Sequence, residues 1–134
     1  MQLIVRLCLA AIGVLYIGLA IWCSVSPSHT SSKVGFRLEG DTGANEFMTV
    51  YGGLEFALGV LFVIPLLQPD VTRWSLLLCL VVHGSLVLFR SIALFVYSDV
   101  QPMTIRLAIG EWVILIATGV LLYLHQSADS APTT

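Results

Sequence analysis

Charge is what this sequence has least of. Lys and Arg number 6 and Asp and Glu 8, together 10% of 134 residues, whereas a soluble domain is about a quarter charged. Such a chain cannot cover a water-facing surface, and its mean hydropathy of +0.95 points the same way. The net charge of −2 leaves no basic patch, which excludes nucleic acid as a partner. Cysteine is scarce as well. Cys8, Cys23 and Cys79 are odd in number and show no CxxC spacing, so neither a disulfide framework nor a zinc site is expected, and all three read as small apolar fillers. Catalytic templates are missing too: there is no nucleophile elbow, no phosphate-cradling glycine loop, no HExxH and no pair of histidines at ligand spacing. A haem or copper would lack a second ligand, no metal is expected, no cofactor is indicated, and the sequence leans away from an enzyme.

Long apolar runs stand in place of all these. Four occur, at about 3–25, 47–67, 74–97 and 104–124, each close to the roughly 20 residues a helix needs to cross the hydrocarbon core. In lipid every backbone amide needs an internal partner, so the runs are expected as helices. The fold class is then all-α, an integral membrane four-helix bundle forming one domain over 1–134. MQLIVR followed by an apolar stretch has the outline of a secretory signal, but the run is long for one and the later spans need it as a packing partner. The polar stretch SPSHTSSKVGFRLEGDTGAN, 26–45, reads as a loop outside the membrane, 68–73 and 98–103 as turns, and 126–134 as a frayed tail. Short links make neighbouring helices antiparallel. Both termini then lie on one face, where Arg6 and Arg73 stand against Lys33, Arg37 and Arg106 opposite, too even a balance for the positive-inside rule. The long loop has the look of an outside segment, which places the termini in the cytoplasm and the protein, multi-pass, in a bacterial inner membrane.

Against this background the glutamate of YGGLEFALGV raises a question. Glu55, His83, Arg90 and Glu111 all fall inside apolar runs, where each charge costs roughly 2.5–3.5 kcal/mol. At a rise of about 1.5 Å per residue, Glu55 lies roughly 12 Å from the loop-bearing face, and Arg90 and Glu111 roughly 10 Å from that same face, because antiparallel helices alternate. The three are therefore expected in one layer, with Arg90 between two carboxylates in forked hydrogen bonds. Two acids against one base imply that one carboxyl holds or shares a proton. His83, two turns before Arg90, sits deeper and reads as a hydrogen-bonded packing histidine or a proton relay. Tyr51, one turn before Glu55, and Tyr16, at comparable depth, would complete a small pocket open towards the long loop. Glu46 is placed at the membrane edge, as a rim charge or a helix-start carboxylate. Gly52, Glu55 and Gly59 recur at i, i+3 and i+7, so Gly52, Gly53 and Gly59 read as helix-packing residues. The cluster is either a clasp that fixes helix register or a site for a ligand.

The run NEFMTVYGGLEFALGV, followed by LVLFRSIAL and GEW, resembles a family of small bacterial four-helix membrane proteins known only as a domain of unknown function with an N-E-x-x-x-x-Y-G-G core. The likeness covers nearly the whole chain and is carried by Asn45, Glu46, Tyr51, Gly52, Gly53, Gly59, Arg90 and Glu111. Met48 and Thr49 stand where that family shows Arg-Ala, which removes the neighbour expected for Glu46. In layout the chain is also similar to DoxX-like four-helix proteins, some associated with quinol oxidation. The resemblance implies fold and site and supplies no activity. Three readings follow. One is a binding or accessory protein whose polar layer holds a small ligand, lipid head group or proton, within a membrane-protein complex. Another is a proton-coupled transporter acting as a homo-oligomer, and the third a membrane enzyme with Glu55 or Glu111 as acid or base on a quinone or isoprenoid. The lipid bilayer is a partner in each.

Overall fold

The computed structural model describes residues 2–129, with side chains through Gln126, and is helical with no strand among them. Each of the four apolar runs is a helix long and apolar enough to cross a membrane. The first, α1, is Gln2–Val25. The second span, Gly40–Leu66, is one continuous helix in four pieces: α3 (Gly40–Phe47), a π-helical segment (Met48–Leu54), α4 (Glu55–Val63) and a closing 3-10 turn (Ile64–Leu66). A 3-10 turn at Pro69–Val71 leads into α5 (Thr72–Val96), and α6 runs Pro102–Asp129.

Two expectations about the connections are corrected. The polar stretch 26–45 is largely helical, carrying α2 (Pro27–Lys33) and most of α3. Pro27 starts α2 where its missing amide N–H is no loss, and the hydroxyl of Thr30 donates to the Ser26 and Trp22 carbonyls at 2.9 and 3.2 Å, tying α2 to the end of α1. The helix ends in a Schellman arrangement, with Phe36 N–H on the Ser31 carbonyl, Gly35 N–H on that of Ser32, and Gly35 at φ +84°. The tail expectation is overturned as far as Asp129, since α6 continues through it. Residues 130–134 lie outside the described residues.

In the bundle α1 lies along α4 and the π segment, while α5 pairs with α6. Every span contributes to one core of Val5, Leu9, Tyr16, Phe62, Cys79 and Leu122 with their neighbours. Those positions sit towards the end that bears the termini. Lipid tails are as apolar as leucine, so this core stabilises through close contact and hydrogen bonding and gains little from leaving the solvent. Two glycines let backbones come close: a Cβ on Gly59 would lie 2.8 Å from the Gly13 oxygen, and one on Gly13 2.7 Å from the Gly59 oxygen. A hydroxyl adds a cross-span link, Ser75 donating to the Leu61 carbonyl at 3.2 Å. The outward faces are apolar, with Phe95 93%, Leu67 83% and Phe89 71% exposed. In water so much exposed apolar surface would drive aggregation; in a bilayer it faces acyl chains.

Candidate functional site

Arg90 of α5 and Glu111 of α6 meet as the depth arithmetic requires. Arg90 Nε donates to Glu111 Oε2 at 2.5 Å and Nη2 donates to Oε1 at 2.6 Å, a forked pair. This geometry offsets desolvation, because both carboxylate oxygens gain a charged donor. The pair is partly covered and not fully buried, with side chains 26% and 12% exposed. Glu111 takes the Nε/Nη2 edge of the guanidinium, two of its five N–H donors.

Glu55 is outside that pair, which corrects the expectation that Arg90 bridges two carboxylates. No hydrogen bond or ion pair joins Glu55 to Arg90, and Glu55 Oε2 is buried with no hydrogen-bond partner. The reason for the mispairing lies in the backbone. Residues 48–54 wind as a π-helix, bonded i to i+5, immediately before Glu55. An α-helical wheel therefore misplaces the azimuth of whatever stands on either side of this segment.

His83 belongs to a different set of contacts. It is fully buried, its Nδ1 lies 2.9 Å from the Cys79 carbonyl oxygen, and its Nε2 lies 3.2 Å from the Tyr16 hydroxyl. A carbonyl only accepts, so Nδ1 carries the ring proton and Nε2 accepts from Tyr16. Thr118 donates its hydroxyl to the Ile114 carbonyl at 2.7 Å, which leaves its oxygen to accept from the Cys79 thiol at 3.5 Å. Cys79, read from the sequence as an apolar filler, is thus a member of a buried chain from Tyr16 through His83 to Thr118. Neither Cys79 nor Thr118 was marked in advance. A hydroxyl or thiol in a membrane helix gives no pattern by which its partner can be found.

The remaining candidates separate cleanly. Gly52 is buried, close against Ser24 and Ala20 of α1, and Gly59 against Gly13 and Ile17, so both are packing glycines. Gly53 is not: it is exposed, and a Cβ there would meet nothing within 4 Å. Glu46 is exposed near the end of α3, one full helix after its start at Gly40, which removes the helix-start role. Tyr51 stacks on Phe47 with ring centroids 4.5 Å apart. A groove of about 570 Å³ is lined by Ser24, Asn45, Thr49, Gly52, Gly53 and Phe56 among others, and none of the candidate ionisable side chains lines it.

Four lipid-length apolar helices around a layer of charged and hydrogen-bonded side chains define a small multi-pass membrane protein. No family model, curated protein or solved structure matches the chain.

Proposed function

We propose that the protein is a binding or accessory membrane protein whose working group is Glu55, and that Arg90 and Glu111 are the clasp that holds α5 to α6 beside it. The observation that carries this reading is the buried Glu55 oxygen without a partner. Leaving a buried acceptor unmade costs about 1–3 kcal/mol, and more where it is charged. Glu111, by contrast, has both carboxylate oxygens paired, whereas Glu55 has one buried oxygen without a partner. A group kept unpaired at that cost is fit to take a proton or the hydrogen-bond donor of a small ligand or lipid head group. The pairing of Arg90 with Glu111 supports the division of labour, since it leaves Glu55 uncommitted. An inner-membrane location, cytoplasmic termini and membership of a larger membrane complex belong to the same proposal.

Native mass spectrometry of the full chain in mild detergent, with infrared spectroscopy of the same samples, tests the reading. Wild-type protein is expected to retain either a bound small molecule or the infrared band of a protonated carboxyl. Glu55→Gln should lose whichever is present, and Glu46→Gln should keep it. Identical adducts and identical carboxyl bands in wild type and Glu55→Gln would refute the assignment.

A further inference from the structure

One edge of Arg90 is left over when the clasp is made. A guanidinium carries five N–H donors in a fixed plane, and Glu111 takes two of them, on Nε and Nη2, with its oxygens at 2.5 and 2.6 Å. The second Nη2 hydrogen and both hydrogens of Nη1 form no hydrogen bond with the described residues. Nη1 and Nη2 together present a second fork at the end of the plane. Its orientation is fixed. An unpaired arginine near a span end bends towards the nearer interface, whereas this one is held at two points by a carboxylate of the neighbouring helix.

The place of the pair in the bundle decides what can reach that fork. Leu76, Cys79, His83 and Val87 are buried and recur along α5 at steps of three and four, and Arg90 and Leu94 are the next positions of this inner seam. Cover falls along it. His83 is fully buried and Val87 buried, Arg90 and Leu94 are partly covered, and Tyr97 is exposed. On α6 the change is parallel, since Thr118 is buried and Glu111, two turns nearer the α5–α6 link, is partly covered. The inner faces of the two helices therefore open towards the loop side, and Arg90 stands where the opening begins. Glu55 does not fill the second fork, because no hydrogen bond or ion pair joins it to Arg90.

We propose that the Nη1 and Nη2 edge of Arg90 is a binding site for an oxyanion, a phosphate or carboxylate group entering from the loop side, and that Glu111 is the residue that positions it. Both groups offer two oxygens at the spacing of the fork. Chloride offers one contact and is discriminated against. Because Arg90 and Glu111 neutralise each other, attraction is short-ranged and rests on the paired hydrogen bonds, so the ion exchanges with the medium. The site is separate from the Glu55 carboxyl and goes beyond its role. One edge of the guanidinium holds α5 to α6 and the other meets the ligand.

Phenylglyoxal tests this edge directly. Its two adjacent carbonyl carbons each bond one of the Nη nitrogens, and the displaced protons pass to the carbonyl oxygens to give a cyclic diol. The full wild-type chain is labelled in nonionic detergent and the adducts are mapped by peptide mass spectrometry, with exposed Arg106 as the internal control. Three media are compared at one ionic strength: chloride, inorganic phosphate, and chloride with phosphatidylglycerol in the micelle. Protection follows mass action, so an anion at about ten times its dissociation constant should slow labelling of Arg90 about tenfold while Arg106 keeps its rate. Protection by inorganic phosphate identifies a free oxyanion as ligand, and protection by phosphatidylglycerol alone identifies a lipid head group. Equal Arg90 rates in all three media overturn the site, as does equal slowing of Arg106, which is screening only. No labelling of Arg90 in chloride, with Arg106 labelled, overturns it too, because the edge is then closed. Glu55→Gln should leave the protection intact, so the two assignments fail separately; loss of protection in that variant would overturn the site as a separate one.

Discussion

Arg90 and Glu111 satisfy each other through two short hydrogen bonds, so removing one partner leaves the other charged in a low-dielectric setting. Breaking a fully buried pair costs about 3–5 kcal/mol, and the partial exposure of Arg90 reduces this to about 2–3 kcal/mol for Glu111→Ala. Replacing both, as Arg90→Met with Glu111→Leu, should restore most of the loss, because the desolvation penalty goes with the charges. Thermal unfolding of the three variants in one detergent checks this. Tyr16 is the second test at this scale. Its hydroxyl is the donor to His83 Nε2, so Tyr16→Phe should lower stability by about 1 kcal/mol. A Tyr16→Phe variant as stable as wild type would show that His83 finds its partner elsewhere. These side chains differ in how legible they were. Depth along the membrane follows from counting residues, and counting brought Arg90 and Glu111 together correctly. Which way a side chain faces does not follow from counting, and so Glu55 was placed beside a partner it does not have. The meeting of Tyr16 with His83 was invisible for the same reason, although both residues had been singled out.

Helices pair here through what they lack. The backbones of α1 and α4 touch at Gly13 and Gly59, and any side chain at either position must push the helices apart. Gly59→Val should therefore cost about 1–3 kcal/mol by overpacking. Gly53→Ala meets open space and should be neutral or stabilising by up to about 1 kcal/mol, since glycine is a poor helix former. Equal losses in the two variants, read by thermal unfolding, would contradict the assignment of the glycine interface. Span existence was the most legible feature of the sequence, because a run of apolar residues near the length of a bilayer leaves the backbone no other choice. The helicity of 26–45 was not legible: its polarity marks it as outside the membrane, and polarity alone says nothing of helix or coil. The π segment was equally hidden. Its MTVYGGL sequence carries no signal for i to i+5 bonding, yet it decides where Gly53 and Glu55 face.

As a whole the molecule is an apolar surface around a thin polar interior. Its core is concentrated near the termini, while the charged pair and Glu55 lie towards the 26–45 segment. With four spans, that segment and the termini belong on opposite faces. Protease added to one side of sealed vesicles should cut near Arg37 only on the face opposite that where it removes the tail, and cleavage of both from the same side would contradict the four-span topology. The division between a clasp and a working carboxyl is also a property of the whole fold, for it states which charge the folded state uses and which it tolerates. Its most direct test is the thermal unfolding of full-length Glu55→Gln beside Glu111→Gln in the same detergent. The account predicts that Glu111→Gln melts below wild type, because Arg90 loses its forked partner, and that Glu55→Gln melts at or above wild type, because an unpartnered acid is replaced by a neutral group. A loss at Glu55→Gln equal to that at Glu111→Gln would show that Glu55 is itself part of the clasp, and the account would be wrong.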